Sequence, residues 1–100
     1  MGRAPLDPQR LWGFLSELAR QMGVEVRLEA LEGGEEYLVR GGLCRLGPRL
    51  VAFVDRRAPL PGRARQLGLC LLGLDLEGVY LRPVVREFLE GLKAPADQGV

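Results

Sequence analysis

Gly41-Gly42-Leu43-Cys44-Arg45-Leu46-Gly47-Pro48-Arg49-Leu50-Val51-Ala52-Phe53-Val54-Asp55 reads as two strands joined by a tight turn. Gly47 can take a positive φ, and Pro48 fixes the next φ and offers no N–H to a ladder, so the chain reverses there. Every residue from Leu50 to Val54 is apolar. A strand with two apolar faces belongs in the middle of a sheet, covered on both sides. Gly41-Gly42 breaks or bulges the chain ahead of this hairpin.

Working back from the hairpin, Tyr37 to Arg40 reads as a short strand or an extended return, and Leu31 to Glu36 as a loop with Gly33-Gly34 at its tip. Val24-Glu25-Val26-Arg27-Leu28-Glu29-Ala30 alternates strictly, with Val24, Val26, Leu28 and Ala30 toward a core and the charged residues toward water. Ahead of it, Leu11, Leu15, Leu18 and Met22 recur at helical spacing, widened by Trp12, Phe14 and Ala19. Asp7 is a good N-cap, Pro8 fits the first helical position, and Gly23 closes the helix. Residues 1–6 are expected to fray.

On the other side, the prolines of Arg56-Arg57-Ala58-Pro59-Leu60-Pro61-Gly62 end the strand and prepare a helix over about 60–73. Leu60, Ala64, Leu67, Leu71 and Leu74 keep its spacing, while Leu69 and Leu72 carry apolar surface almost all round it. Gly68 costs that helix about 1 kcal/mol against alanine, unless another backbone approaches there. Leu74 to Leu81 is a compact connector. Pro83 opens a last helix over 83–92 with Val84, Val85, Phe88, Leu89 and Leu92 on one face, and residues 93–100 read as a loose tail. The expected fold is one α+β domain over 1–100, with an ordered core at about 7–92 and the order α-β-β-β-α-α. A small, mostly antiparallel sheet of three to four strands is packed by two main helices, with a short C-terminal helix at its edge.

Composition removes much chemistry. The chain has no histidine, and with it go His-based zinc sites, Ser-His-Asp and Cys-His nucleophiles and the commonest general base. Ser16 is the one serine and threonine is absent. No GxxxxGK[ST] or GxGxxG element is present. The expectation is therefore no enzyme, no metal and no cofactor. Thiol chemistry at Cys44 or Cys70 is the reading left open, beside the commoner role of both as small core hydrophobes with no disulfide between them. No secretory leader and no apolar run approaching roughly 18 residues is read, so the expected location is cytoplasmic, with no membrane contact. Thirteen of the fourteen basic residues are arginine, a bias that fits a GC-rich or a heat-adapted source, and the expected source is bacterial.

Charge is unevenly spread. Residues 40–65 hold seven arginines against Asp55 alone, while the flanking segments are acidic. Arg45, Arg49, Arg56, Arg57, Arg63 and Arg65 are therefore candidates for binding an anion or nucleic acid. The competing reading pairs these arginines with Glu25, Glu29, Glu35 and Glu36 on neighbouring strands. A formal net charge of +1 and the lack of aromatics among the arginines argue against a dedicated nucleic-acid binder.

The order helix, strand, Gly-rich loop, hairpin ending in Val51-Ala52-Phe53-Val54-Asp55, Arg/Pro segment and second helix resembles the start of an ImmA/IrrE-type metallopeptidase domain, over roughly residues 8–73. In that family the helix after the hairpin carries a His-Glu-x-x-His zinc motif. Here it reads Gly62-Arg63-Ala64-Arg65-Gln66-Leu67-Gly68-Leu69-Cys70-Leu71-Leu72, so the resemblance carries no site residue across and implies at most a relative without metal or proteolysis. The stretches around Gly41–Arg57 and Leu74–Glu90 also resemble a small bacterial domain family, which implies no activity. The expected function is a non-catalytic interaction domain that pairs with itself as a homodimer, through Leu69, Leu72, Val85 and Phe88 on the helix surface. The alternative is an anion or nucleic-acid binder using the arginine segment, and another protein partner is the further option.

Overall fold

The computed structural model describes residues 7–30 and 42–93. It is an α+β fold in the order α1 (Pro8–Gln21), β1 (Val24–Glu29), β2 (Leu43–Leu46), β3 (Arg49–Asp55), α2 (Leu60–Leu72) and α3 (Pro83–Lys93). The expected fray at 1–6, the loop and short strand over 31–40 and the tail after Lys93 lie outside the described residues.

Helix α1 starts where its cap requires. The Asp7 carboxylate accepts the Gln9 N–H at 3.2 Å, Pro8 takes the first helical position, and Gly23 turns the chain at φ 80°. Leu15, Leu18 and Ala19 are buried beneath the helix. Strand β1 begins directly after Gly23, but its burial falls steadily along its length instead of alternating. Val24 and Val26 reach the core, while Leu28 and Ala30, expected to face it, lie at the far end outside the core cluster and are exposed.

The hairpin forms as read. Gly47 sits at φ 62°, and β2 pairs antiparallel to β3 with Leu46 opposite Arg49 and Leu43 opposite Ala52. Strand β3 is central in the order β1-β3-β2. The sheet is mixed rather than mostly antiparallel, because β1 lies parallel to β3, with Val24 beside Leu50 and Leu28 beside Val54. The reason is topological. The hairpin occupies one edge of β3 and β1 takes the other, where the direction of the chain makes the pair parallel.

The three helices of the described residues pack on one face of the sheet. Val24, Val26, Leu43, Leu50, Ala52 and Val54 point into the core with Leu15, Leu18, Leu67 and Leu71. The other face of β3 carries Val51 and Phe53, which are outside that cluster although Val51 is only 1% exposed. Among the described residues no helix lies on this second face, yet Val51 is buried there, in keeping with a central strand covered on both sides.

Helix α3 closes over α2. At Gly68 a side-chain carbon would come within 2.7 Å of Leu92 Cδ1 and 3.0 Å of Phe88 Cε2. The missing side chain there lets α3 lie tightly against α2. Arg82 fastens the start of α3 to α1, its guanidinium 4.3 Å from the centre of the Phe14 ring.

Candidate interaction surfaces

The six candidate arginines do not form one patch. Arg49 opens β3, and Arg56 follows its last residue. Seven strand steps at about 3.3 Å place their backbones roughly 20 Å apart. Arg45 sits near Arg49, exposed on β2 opposite Leu50. Arg56, Arg57, Arg63 and Arg65 gather at the opposite end, where β3 gives way to α2.

Much of this charge is employed inside the molecule. Arg49 Nη1 lies 3.2 Å from Glu25 Oε1, and Arg27 Nε lies 3.1 Å from Glu25 Oε2. The Arg27 hydrogen bond, with the charge of both arginines, holds the Glu25 carboxyl below its ordinary range. Arg27 also lies over the Phe53 ring at 5.9 Å. Arg57 Nε is 3.6 Å from Asp55 Oδ1, which also accepts the Arg57 N–H at 3.0 Å. Arg63 donates to the Ala58 carbonyl at 2.9 Å and the Arg56 carbonyl at 2.7 Å, locking the connection between β3 and α2. The expected pairing with Glu25 is present. Arg63 is a structural clamp that sequence reading missed, because its partners are backbone oxygens and leave no trace in residue types.

Gln66 was missed too, because its partner is a backbone N–H. The odd residues of β3 turn their N–H groups toward β2, as the Phe53 N–H does to the Gly42 carbonyl at 2.9 Å. Asp55 lies beyond that partner, and its N–H goes to Gln66 Oε1 at 2.8 Å.

The helical residues expected to mediate self-association are largely consumed within the protomer. Val85 is 2% exposed and belongs to the core, so it leaves the candidate surface. Leu72 and Phe88 are half-buried against that core, and Leu69 is half-buried outside it. The apolar excess read from the sequence is taken up because α3 folds back onto α2 and α1. Exposed large apolar side chains among the described residues are Leu28 at 39%, Leu46 at 45% and Tyr80 at 77%. Two of these three lie on the edge strands β1 and β2.

The cysteines part company. Cys70 is buried in the core, and burial pushes its thiol up to about 12. It therefore stays a protonated, inert group near neutral pH. Cys44 is half-buried beside Val51 on the face away from the helices, not in the core as expected. Cys44 and Cys70 are not joined in a disulfide.

Two grooves border α1. The smaller, about 150 Å³, lies between Phe14, Leu18, Leu81 and Val85, with Tyr80 and Arg82 at its rim. That is below the roughly 300 Å³ at which pockets hold drug-sized ligands. The larger, about 440 Å³, is an open trough between α1 and the edge of β1, lined by Gly13, Ser16, Glu17 and Arg20 on the helix and Val24 to Val26 on the strand. Among the described residues no group of three or more Cys, Asp or Glu side chains is arranged to hold a metal, and no helix is long and apolar enough to cross a membrane. No family model matches the chain, and neither the curated proteins nor the solved structures contain a significant match.

Proposed function

We propose that this protein is a non-catalytic interaction domain that associates with a second copy of itself. The observation that carries this reading is the position of the exposed apolar side chains. With the helices sealed by α3, Leu28 and Leu46 stand on the two outer strands of the sheet formed by the described residues. Unpaired strand edges with exposed apolar residues are places where chains join. The surface for association is thus the rim of the sheet and not the helical face holding Leu69, Leu72 and Phe88. Light scattering over a concentration series up to the millimolar range tests the reading. A mass rising from monomer to dimer is expected, and a clean monomer throughout would overturn it.

A further inference from the structure

We infer that two copies join through β1, edge to edge and antiparallel, about a two-fold axis between their Val26 residues. This inference rests on the self-association reading and specifies its surface.

The backbone decides which groups are available. The Arg56 N–H donates to the Glu29 carbonyl at 2.9 Å, extending the parallel ladder by one step. In a parallel pair, a residue turns its N–H and C=O to the same neighbour, and successive residues alternate sides. Glu29, Arg27 and Glu25 therefore bond to β3. Val24, Val26 and Leu28 turn both backbone groups outward, to an edge that among the described residues has no strand beside it. The open trough along Val24 to Val26 leaves that edge accessible.

The sequence of β1 is complementary to itself in one register. Pairing about Val26 sets Val24 opposite Leu28 of the second copy and Glu25 opposite its Arg27, and each relation repeats by symmetry. Val26, Val24 and Leu28, the residues with free backbone groups, become the hydrogen-bonded pairs. Glu25 and Arg27 fall at the non-hydrogen-bonded positions, where facing side chains come closest. Leu28 gains an apolar partner. A centre on Glu25 or Arg27 would use the same outward backbone groups but set Glu25 against Glu25, or Arg27 against Arg27 and Glu25 against Glu29, and like charges directly opposite are destabilising. A centre on Leu28 runs past the strand end at Glu29, and one on Val24 runs into the Gly23 turn.

The helices agree with this register. A two-fold axis perpendicular to the sheet keeps both helical layers on the same face and sets the two α1 helices antiparallel across the junction. The α1 stripe facing that side is Gly13, Ser16, Glu17 and Arg20. A side chain at Gly13 would meet nothing within 4 Å among the described residues, so no packing they make calls for glycine at that position. Small residues let two helices approach, and in antiparallel order Glu17 and Arg20 can face their opposites in the second copy.

Sedimentation velocity on the full chain and three variants tests the inference. Val26→Pro removes an N–H that the protomer does not use, and proline is tolerated at such edge positions. It should keep the circular dichroism spectrum and raise the dimer dissociation constant at least roughly tenfold. Glu25→Arg alone and Arg27→Glu alone should each weaken the dimer, since each puts like charges opposite one another. Mixed in equal amounts, these two variants should recover a heterodimer, which pairing within a single chain cannot produce. If Val26→Pro fails to fold, the mixing result decides. A dimer that survives these changes unaltered, or a mixture that recovers nothing, overturns the β1 junction and leaves self-association through another surface. A wild-type chain that never dimerises overturns both.

Discussion

The N–H of Asp55 points to the β2 side of the sheet, beyond Gly42, the first described residue of that segment, and the Gln66 side chain supplies the oxygen. A buried or half-buried donor stripped of its acceptor costs about 1–3 kcal/mol, so Gln66→Ala should lower stability by that amount in chemical denaturation. An unchanged midpoint would show that water replaces the amide at no cost. The cysteines give a second test at this scale. The folded state keeps the Cys70 proton up to about 12, whereas the unfolded chain releases it near 9. The stability tied to that thiol is complete below pH 9 and declines as pH rises from there toward 12. At pH 8 an alkylating reagent should modify half-exposed Cys44 readily and Cys70 only on unfolding. Equal, fast labelling of both would contradict the packing of α2. Glu25 runs the other way: its depressed carboxyl adds stability above its ordinary range, and that contribution fades as pH falls through the depressed value.

At the scale of elements, α3 lies against Gly68 of α2. An alanine there asks the tips of Leu92 and Phe88 to shift slightly, against a helix-propensity gain of about 1 kcal/mol. Gly68→Ala should therefore be close to neutral. Gly68→Leu places a branched side chain where α3 already sits, and overpacking of that kind costs about 1–3 kcal/mol. Thermal denaturation should separate the two variants by several degrees. A leucine variant as stable as the parent would show that α3 is not held closely against α2. The elements themselves were legible in the sequence because their signals are local: Asp7-Pro8 and Gly23 around α1, strict alternation through β1, Gly47-Pro48 in the hairpin, and Pro83 opening α3. Contacts between elements were less legible. Nothing in Val24–Glu29 states that it lies parallel to β3, and Val85 reads the same whether it faces a second copy or α1. The arginines look like one cluster in the chain, but an extended strand carries Arg49 and Arg56 to opposite ends of the sheet.

At the scale of the whole molecule, the order β1-β3-β2 has a consequence in time. The β2–β3 hairpin closes over two residues, and hairpins of this kind form in about 1–10 μs. The partners across β1 and β3, such as Val24 and Leu50, lie far apart in the chain, so their meeting waits on a longer search. During that wait β3 offers the outward groups of Leu50, Ala52 and Val54 to whichever strand arrives first. A β1 from a neighbouring chain fits that berth as well as the chain's own, and carries its α1 with it. Concentrated refolding is therefore the condition under which the N-terminal helix and strand can be exchanged between molecules, giving a swapped pair whose separation requires unfolding.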